Sequence, residues 1–124
     1  MAHLRAGGLI ALFPSGGVAA SETLFGPVVE GEWNVFTAKL IRTSGATVVP
    51  CRFQGQNSRG YQIANRISAT LRQGLLLHEI VHSLNKPQAP IVGEPISDDE
   101  MATLASDPRG FMARLREHTL GLKD

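Results

Sequence analysis

The chain has 124 residues, 43% hydrophobic and 19% charged, with a formal net charge of +1. Length and composition point to a single globular domain over residues 1–124, and so small a charge gives no pull towards nucleic acid. One cysteine, Cys51, excludes an internal disulfide and fits a reducing, cytoplasmic setting; no apolar run is long enough to span a bilayer, and Met1-Ala2-His3-Leu4-Arg5 lacks the apolar stretch of a signal peptide.

In chain order, His3 and Arg5 end a first short helix, with Gly7 or Gly8 as its stop. Leu9-Ile10-Ala11-Leu12-Phe13 is short, aliphatic and uncharged, and reads as a buried strand. Pro14 cannot donate to a ladder and ends it. Gly16 and Gly17 permit positive φ or close approach of a ligand, and successive amides in such a turn can converge on an anion. Residues 14–31 are loop. Trp33, Phe36 and Leu40, with Ala38 and Ile41, recur at helical spacing until Gly45.

Thr47 to Phe53 reads as a second strand, with Pro50 implying an edge or a bulge. Gln54 to Gly60 is loop. Ile63, Ile67 and Leu71 set a long helix beginning near Tyr61, bent or broken at Gly74 and running through Leu75-Leu76-Leu77 and Ile80 until Pro87. Ala89 to Ile96 reads as a third strand. Ser97-Asp98-Asp99-Glu100 is a capping box, and Asp107-Pro108 opens a last helix lined by Phe111, Met112, Leu115 and Leu122. Strand and helix alternate. The expected fold is therefore α/β, a mixed or mostly parallel sheet with flanking helices and a site beyond the carboxyl ends of the strands.

Two separated motifs resemble the glycerolipid acyltransferase family, which includes the lysophosphatidic acid acyltransferases. The family's strand running into Phe-Pro-Glu-Gly-Thr is matched by Phe13, Pro14, Ser15, Gly16 and Gly17; its strand ending in Val-Pro is matched by Val49 and Pro50. The hemolysin-like and ornithine-lipid branch is more similar still. There a Phe-x-Gly-x-Asn-Ser segment follows, matched by Phe53 to Ser58, and a Gly-x-Pro-Ile strand, matched by Gly93 to Ile96. The departures are Ser15 for the family's Glu, Gly17 for its Thr, and no Arg after them.

The resemblance implies transfer of a fatty acyl group from a thioester donor to the hydroxyl of a lyso-lipid acceptor, with no cofactor. The family's catalytic His-x4-Asp is missing: the residues five on from His3, His78, His82 and His118 are Gly8, Ser83, Pro87 and Lys123. The expectation is the C-terminal, acceptor-binding half of an acyltransferase domain, without a catalytic residue of its own. The implied acceptor site is Phe13, Pro14, Ser15, Gly16, Gly17, Val49, Pro50, Arg52, Asn57 and Ser58, with Lys39 and Arg59 as further cations. Peripheral contact with the inner membrane face and self-association through exposed apolar surface are expected to accompany it.

A competing motif is His78-Glu79-Ile80-Val81-His82, which matches His-Glu-x-x-His. Histidines four apart share a helix face and can both ligate zinc, Glu79 would act as general base for hydrolysis, and Glu94, Asp98, Asp99 or Glu100 would offer a third ligand. The alternatives to an acyltransferase are thus a zinc-dependent hydrolase and a non-catalytic binding or scaffold module. Cys51 reads as a small buried apolar residue.

Overall fold

The computed structural model describes residues 2–17, 19–21, 27–54, 63, 67–84, 86–87, 89–123. The chain divides into two compact units, Met1–Gly17 with Glu32–Arg52 and Pro90–Asp124, and Val18–Gly31 with Phe53–Ala89.

In the first unit, α1 spans Ala2–Arg5, and Gly7 (φ 80°) turns the chain out of it. Helix α2 spans Val35–Ser44. Asn34 caps it by accepting from the Phe36 amide at 2.8 Å, and Gly45 (φ 64°) ends it in the left-handed region, where a side chain would be strained.

In the second unit, β1 (Ala20–Ser21) pairs antiparallel with β2 (Val28–Val29). In the first unit, which holds all of the ladder but Phe53, strand β3 (Cys51–Phe53) pairs with β4 (Pro90–Val92). Before β3, the Gly93 amide donates to the Pro50 carbonyl and the Ile96 amide to the Val48 carbonyl, both at 2.9 Å. One partner number falls as the other rises, so the two segments run antiparallel.

Helix α3 (Ala69–Ser83) belongs to the second unit. It runs through Gly74 without a break; its beginning near Tyr61 lies outside the described residues. Helices α4 (Asp98–Ser106) and α5 (Pro108–Gly121) complete the first unit.

The expected α/β sheet is not formed. Among the described residues the protein is about 53% helical, and its strands make only two-stranded ladders. Leu9 to Phe13 is not a strand. It pairs with no strand among the described residues, and Leu9, Leu12 and Phe13 stand 84%, 49% and 75% exposed. An apolar run signals burial, but a strand also needs a neighbour for its amides and carbonyls. Pro50 beside β3 and Pro90 within β4 lack the N–H that would extend the ladder.

The core of the first unit is made by helices instead. Ala38 and Ile41 of α2, Leu104 of α4, and Phe111, Met112 and Leu115 of α5 bury together with Ile96; Trp33, Val48 and Met101 pack against them. The buried face of α2 is Thr37, Ala38 and Ile41, whereas Phe36, expected to face inward, is 68% exposed. Buried Thr119 donates its hydroxyl to the Leu115 carbonyl at 2.7 Å, so no polar atom of that side chain is stranded in the core.

The capping box forms as its sequence dictates. The Ser97 side chain accepts from the Glu100 amide, and the Glu100 carboxylate accepts from the Ser97 amide, each at 3.4 Å. Asp98, Asp99 and Glu100 put negative charge on the positive end of α4. Asp107 caps α5 by accepting from the Gly110 amide at 2.9 Å, with Pro108 in the first turn. Ser97→Ala is expected to lower the unfolding free energy by about 1 kcal/mol. A urea midpoint equal to the parent's would mean that the cap adds nothing.

Candidate functional site

The glycine turn belongs to the first unit and can be built bond by bond. The Gly16 amide donates to the Phe13 carbonyl at 3.0 Å, closing a four-residue turn with Pro14 at its second position. Proline's fixed φ suits that position. No described non-glycine residue has positive φ, so Ser15 follows the type I pattern rather than type II. Gly16 itself has φ 64° and leaves the turn in the left-handed region. The Ser15 hydroxyl donates to the Gly17 carbonyl at 3.1 Å.

The turn is seated on a helix. The Asn34 amide donates to the Pro14 carbonyl at 2.9 Å, and Asn34 is the N-cap of α2. The exposed apolar residues Leu12 and Phe13 therefore run straight into a glycine turn beside the positive end of a ten-residue helix. Of the three amides expected to face an anion, Gly16's is spent within the turn; those of Ser15 and Gly17 carry no partner among the described residues. A Cβ at Gly16 or Gly17 would meet nothing within 4 Å, so the space beside the turn is open. Asn34 was legible as a cap, since Asn before an apolar-periodic run is a helix start. Its second role, anchoring the turn, is a contact across 20 residues and carries no local signal.

The structure brings Val49 and Pro50 together with the Gly93 to Ile96 segment through the two backbone bonds described above. Pro50 is buried and Val49 is 46% exposed. A Cβ at Gly93 would lie 2.9 Å from a Leu122 methyl and 3.0 Å from the Pro50 ring, so a side chain there would have to push one of them aside.

Arg52 is committed to the fold. Its guanidinium donates to the Leu122 carbonyl at 2.6 Å, at the end of α5 where the helix dipole is negative. Lys39 is exposed on α2. Asn57, Ser58 and Arg59 lie outside the described residues. Cys51, expected to be buried, is exposed, because it sits on a two-stranded ladder rather than within a sheet.

In the second unit, His78 and His82 project from the C-terminal half of α3 with their rings stacked, centroids 6.2 Å apart and planes 9° from parallel. Both are exposed, while Glu79 is half-buried and engaged in an interaction of its own. Among the described residues no group of three or more His, Cys, Asp or Glu is placed to hold a metal ion. The hydrolase alternative needs three protein ligands on a catalytic zinc; Glu94 and Asp98 to Glu100 belong to the first unit and the two histidines to the second. Leu75 and Leu76 are half-buried and Leu77 is 67% exposed. A shallow hollow on the same unit is lined by Ser68, Thr70, Gly74 and Leu75.

No described helix is long and apolar enough to cross a membrane. In comparisons with known proteins, no family model, no curated protein and no solved structure matches the chain.

Proposed function

We propose that this chain binds a lyso-lipid with an acidic head group, as the acceptor-binding part of a glycerolipid acyltransferase-like system. The observation that carries the reading is the continuity of two chemistries in one segment. Leu9, Leu12 and Phe13 offer exposed apolar surface, and the next residues form an open glycine turn hydrogen-bonded to the start of α2. A lyso-lipid presents one apolar chain joined to a small polar head. The chain lies against Leu9 to Phe13, and the head group's phosphate or carboxylate meets the Ser15 and Gly17 amides near the helix N-terminus.

The family resemblance of Phe13 to Gly17, Val49-Pro50 and Gly93 to Ile96 supports the same segment as an acceptor cradle. It supports no particular fold, because the expected mixed or mostly parallel sheet does not form among the described residues. Transfer would move the acyl group from the thioester sulfur to the acceptor oxygen, the hydroxyl proton passing to a base and then to the departing thiolate. No histidine of this chain has an aspartate five residues on; the reading therefore assigns these residues binding and places the base elsewhere. Peripheral attachment at the inner, cytoplasmic membrane face and self-association through the exposed apolar residues belong to the same reading.

Trp33, half-buried beside Asn34, is the chain's one tryptophan and reports on the turn. Titration with lysophosphatidic acid below its micelle concentration is expected to change Trp33 emission saturably. Phe13→Asp is expected to weaken binding by roughly tenfold or more, because burying a phenylalanine is worth about 1.5–3 kcal/mol. Equal binding by parent and variant, or no saturable change, would discard this site.

A further inference from the structure

We propose that His78 and His82 form a two-point chelate for a first-row divalent cation, copper(II) held more tightly than nickel(II) and nickel(II) more tightly than zinc(II). The inference is independent of lipid binding and rests on the second unit alone. Four residues apart on α3, the two imidazoles lie one above the other on one helix face. Both are exposed and their rings already stand 6.2 Å apart. A ring nitrogen's lone pair lies in the plane of its ring, so planes 9° from parallel do not yet converge on one ion. Rotation about χ2, a broad two-fold torsion, tilts the rings so that one nitrogen of each meets a common point.

The place in the helix also favours a cation. His82 lies in the last turn of α3, at the negative end of the helix dipole. Glu79, one residue from His78, is rotated about 100° around the helix and does not share the face. With two protein nitrogens and no third ligand among the described residues, the remaining positions fall to water. Copper(II) and nickel(II) accept two cis imidazoles with water in tetragonal or octahedral geometry; zinc(II) favours a closed tetrahedral set and sits lower in the affinity order.

The test is calorimetric titration of the whole chain with copper(II), nickel(II) and zinc(II) salts in a non-coordinating buffer, in a His3→Ala background that removes competition from the amino-terminal histidine. One ion per chain is expected, in the stated order. His78→Ala and His82→Ala are each expected to weaken binding by about tenfold or more, since either one removes the effective-concentration gain of two linked ligands. The double variant is expected to lose the site, and Glu79→Gln to leave it unchanged. Circular dichroism of each variant checks that α3 is intact. Absence of saturable binding, or binding that survives in the double variant, overturns the proposal. A comparable loss in Glu79→Gln overturns the two-point geometry.

Discussion

Met112→Ala is expected to lower the unfolding free energy by about 2–5 kcal/mol, the usual range for truncating a buried methionine. Met112 is 1% exposed and is the largest fully buried side chain among the described residues. It sits on α5 beside Phe111, and with Leu115 it makes the surface against which α2 and α4 bury Ala38, Ile41 and Leu104. Removing its side chain takes away transfer free energy and leaves a cavity among three helices. They cannot close it without shifting against one another. A domain stable by only about 5–15 kcal/mol loses a large share of its margin.

Urea unfolding followed by Trp33 fluorescence reads the change directly, because Trp33 packs on this core. The midpoint is expected to fall with little change in slope. Met112→Leu, which keeps the volume, is expected to cost less than about 1.5 kcal/mol. A loss below about 1 kcal/mol in the alanine variant would mean that the three helices do not share a packed core at this position.

Arg52→Ala is expected to cost about 1.5–3 kcal/mol, the worth of a hydrogen bond that includes a charged partner. The Arg52 guanidinium joins the start of the chain's β3 ladder to the Leu122 carbonyl, 70 positions away, at 2.6 Å. That carbonyl belongs to the residue capping the C-terminus of α5, where a cation also satisfies the helix dipole. Arg52→Lys keeps the charge but loses the rigid fork, and is expected to fall between parent and alanine variant. The lysophosphatidic acid titration of Arg52→Ala, made where the variant is folded, is expected to match the parent. Unchanged stability with weakened lipid binding would move Arg52 from the fold to the head-group site.

Sequence and structure agree where the decisive interaction is local. Ser97 with Glu100, Asp107 before Pro108, and Gly45 after Ser44 mark helix ends because each signal is a hydrogen bond or a backbone conformation completed within a few residues. The candidate site was legible in the same sense. Phe13 to Gly17 reads as a turn from proline and glycine chemistry, and the turn forms with its left-handed glycine at Gly16. His78 and His82 share a face because the helix period is independent of everything else in the chain.

The apolar runs are where the structure departs from the local pattern. Leu9 to Phe13, Thr47 to Phe53 and Ala89 to Ile96 all carry strand-like composition, yet one is an exposed irregular segment and the other two pair only over a few residues. Strand pairing joins residues far apart, and no local pattern states which partner is present. The same limit governs the faces of α2: apolar periodicity named Phe36 together with Ala38 and Ile41, and packing against α5 buried Ala38 and Ile41, added Thr37 and left Phe36 exposed.

The long helix, expected to run until Pro87, ends at Ser83. By itself, then, the sequence determined where α2 stops and where α4 and α5 start, where the glycine turn lies and which histidines stand together. These are short-range matters of backbone capping, turn chemistry and helical period. Only the tertiary structure decided that the core is helical, that Arg52 serves the end of α5, and that the turn rests on the N-cap of α2. Each of those depends on contacts between residues distant in the chain, whose formation is set by competition among packed arrangements rather than by the preference of any one segment.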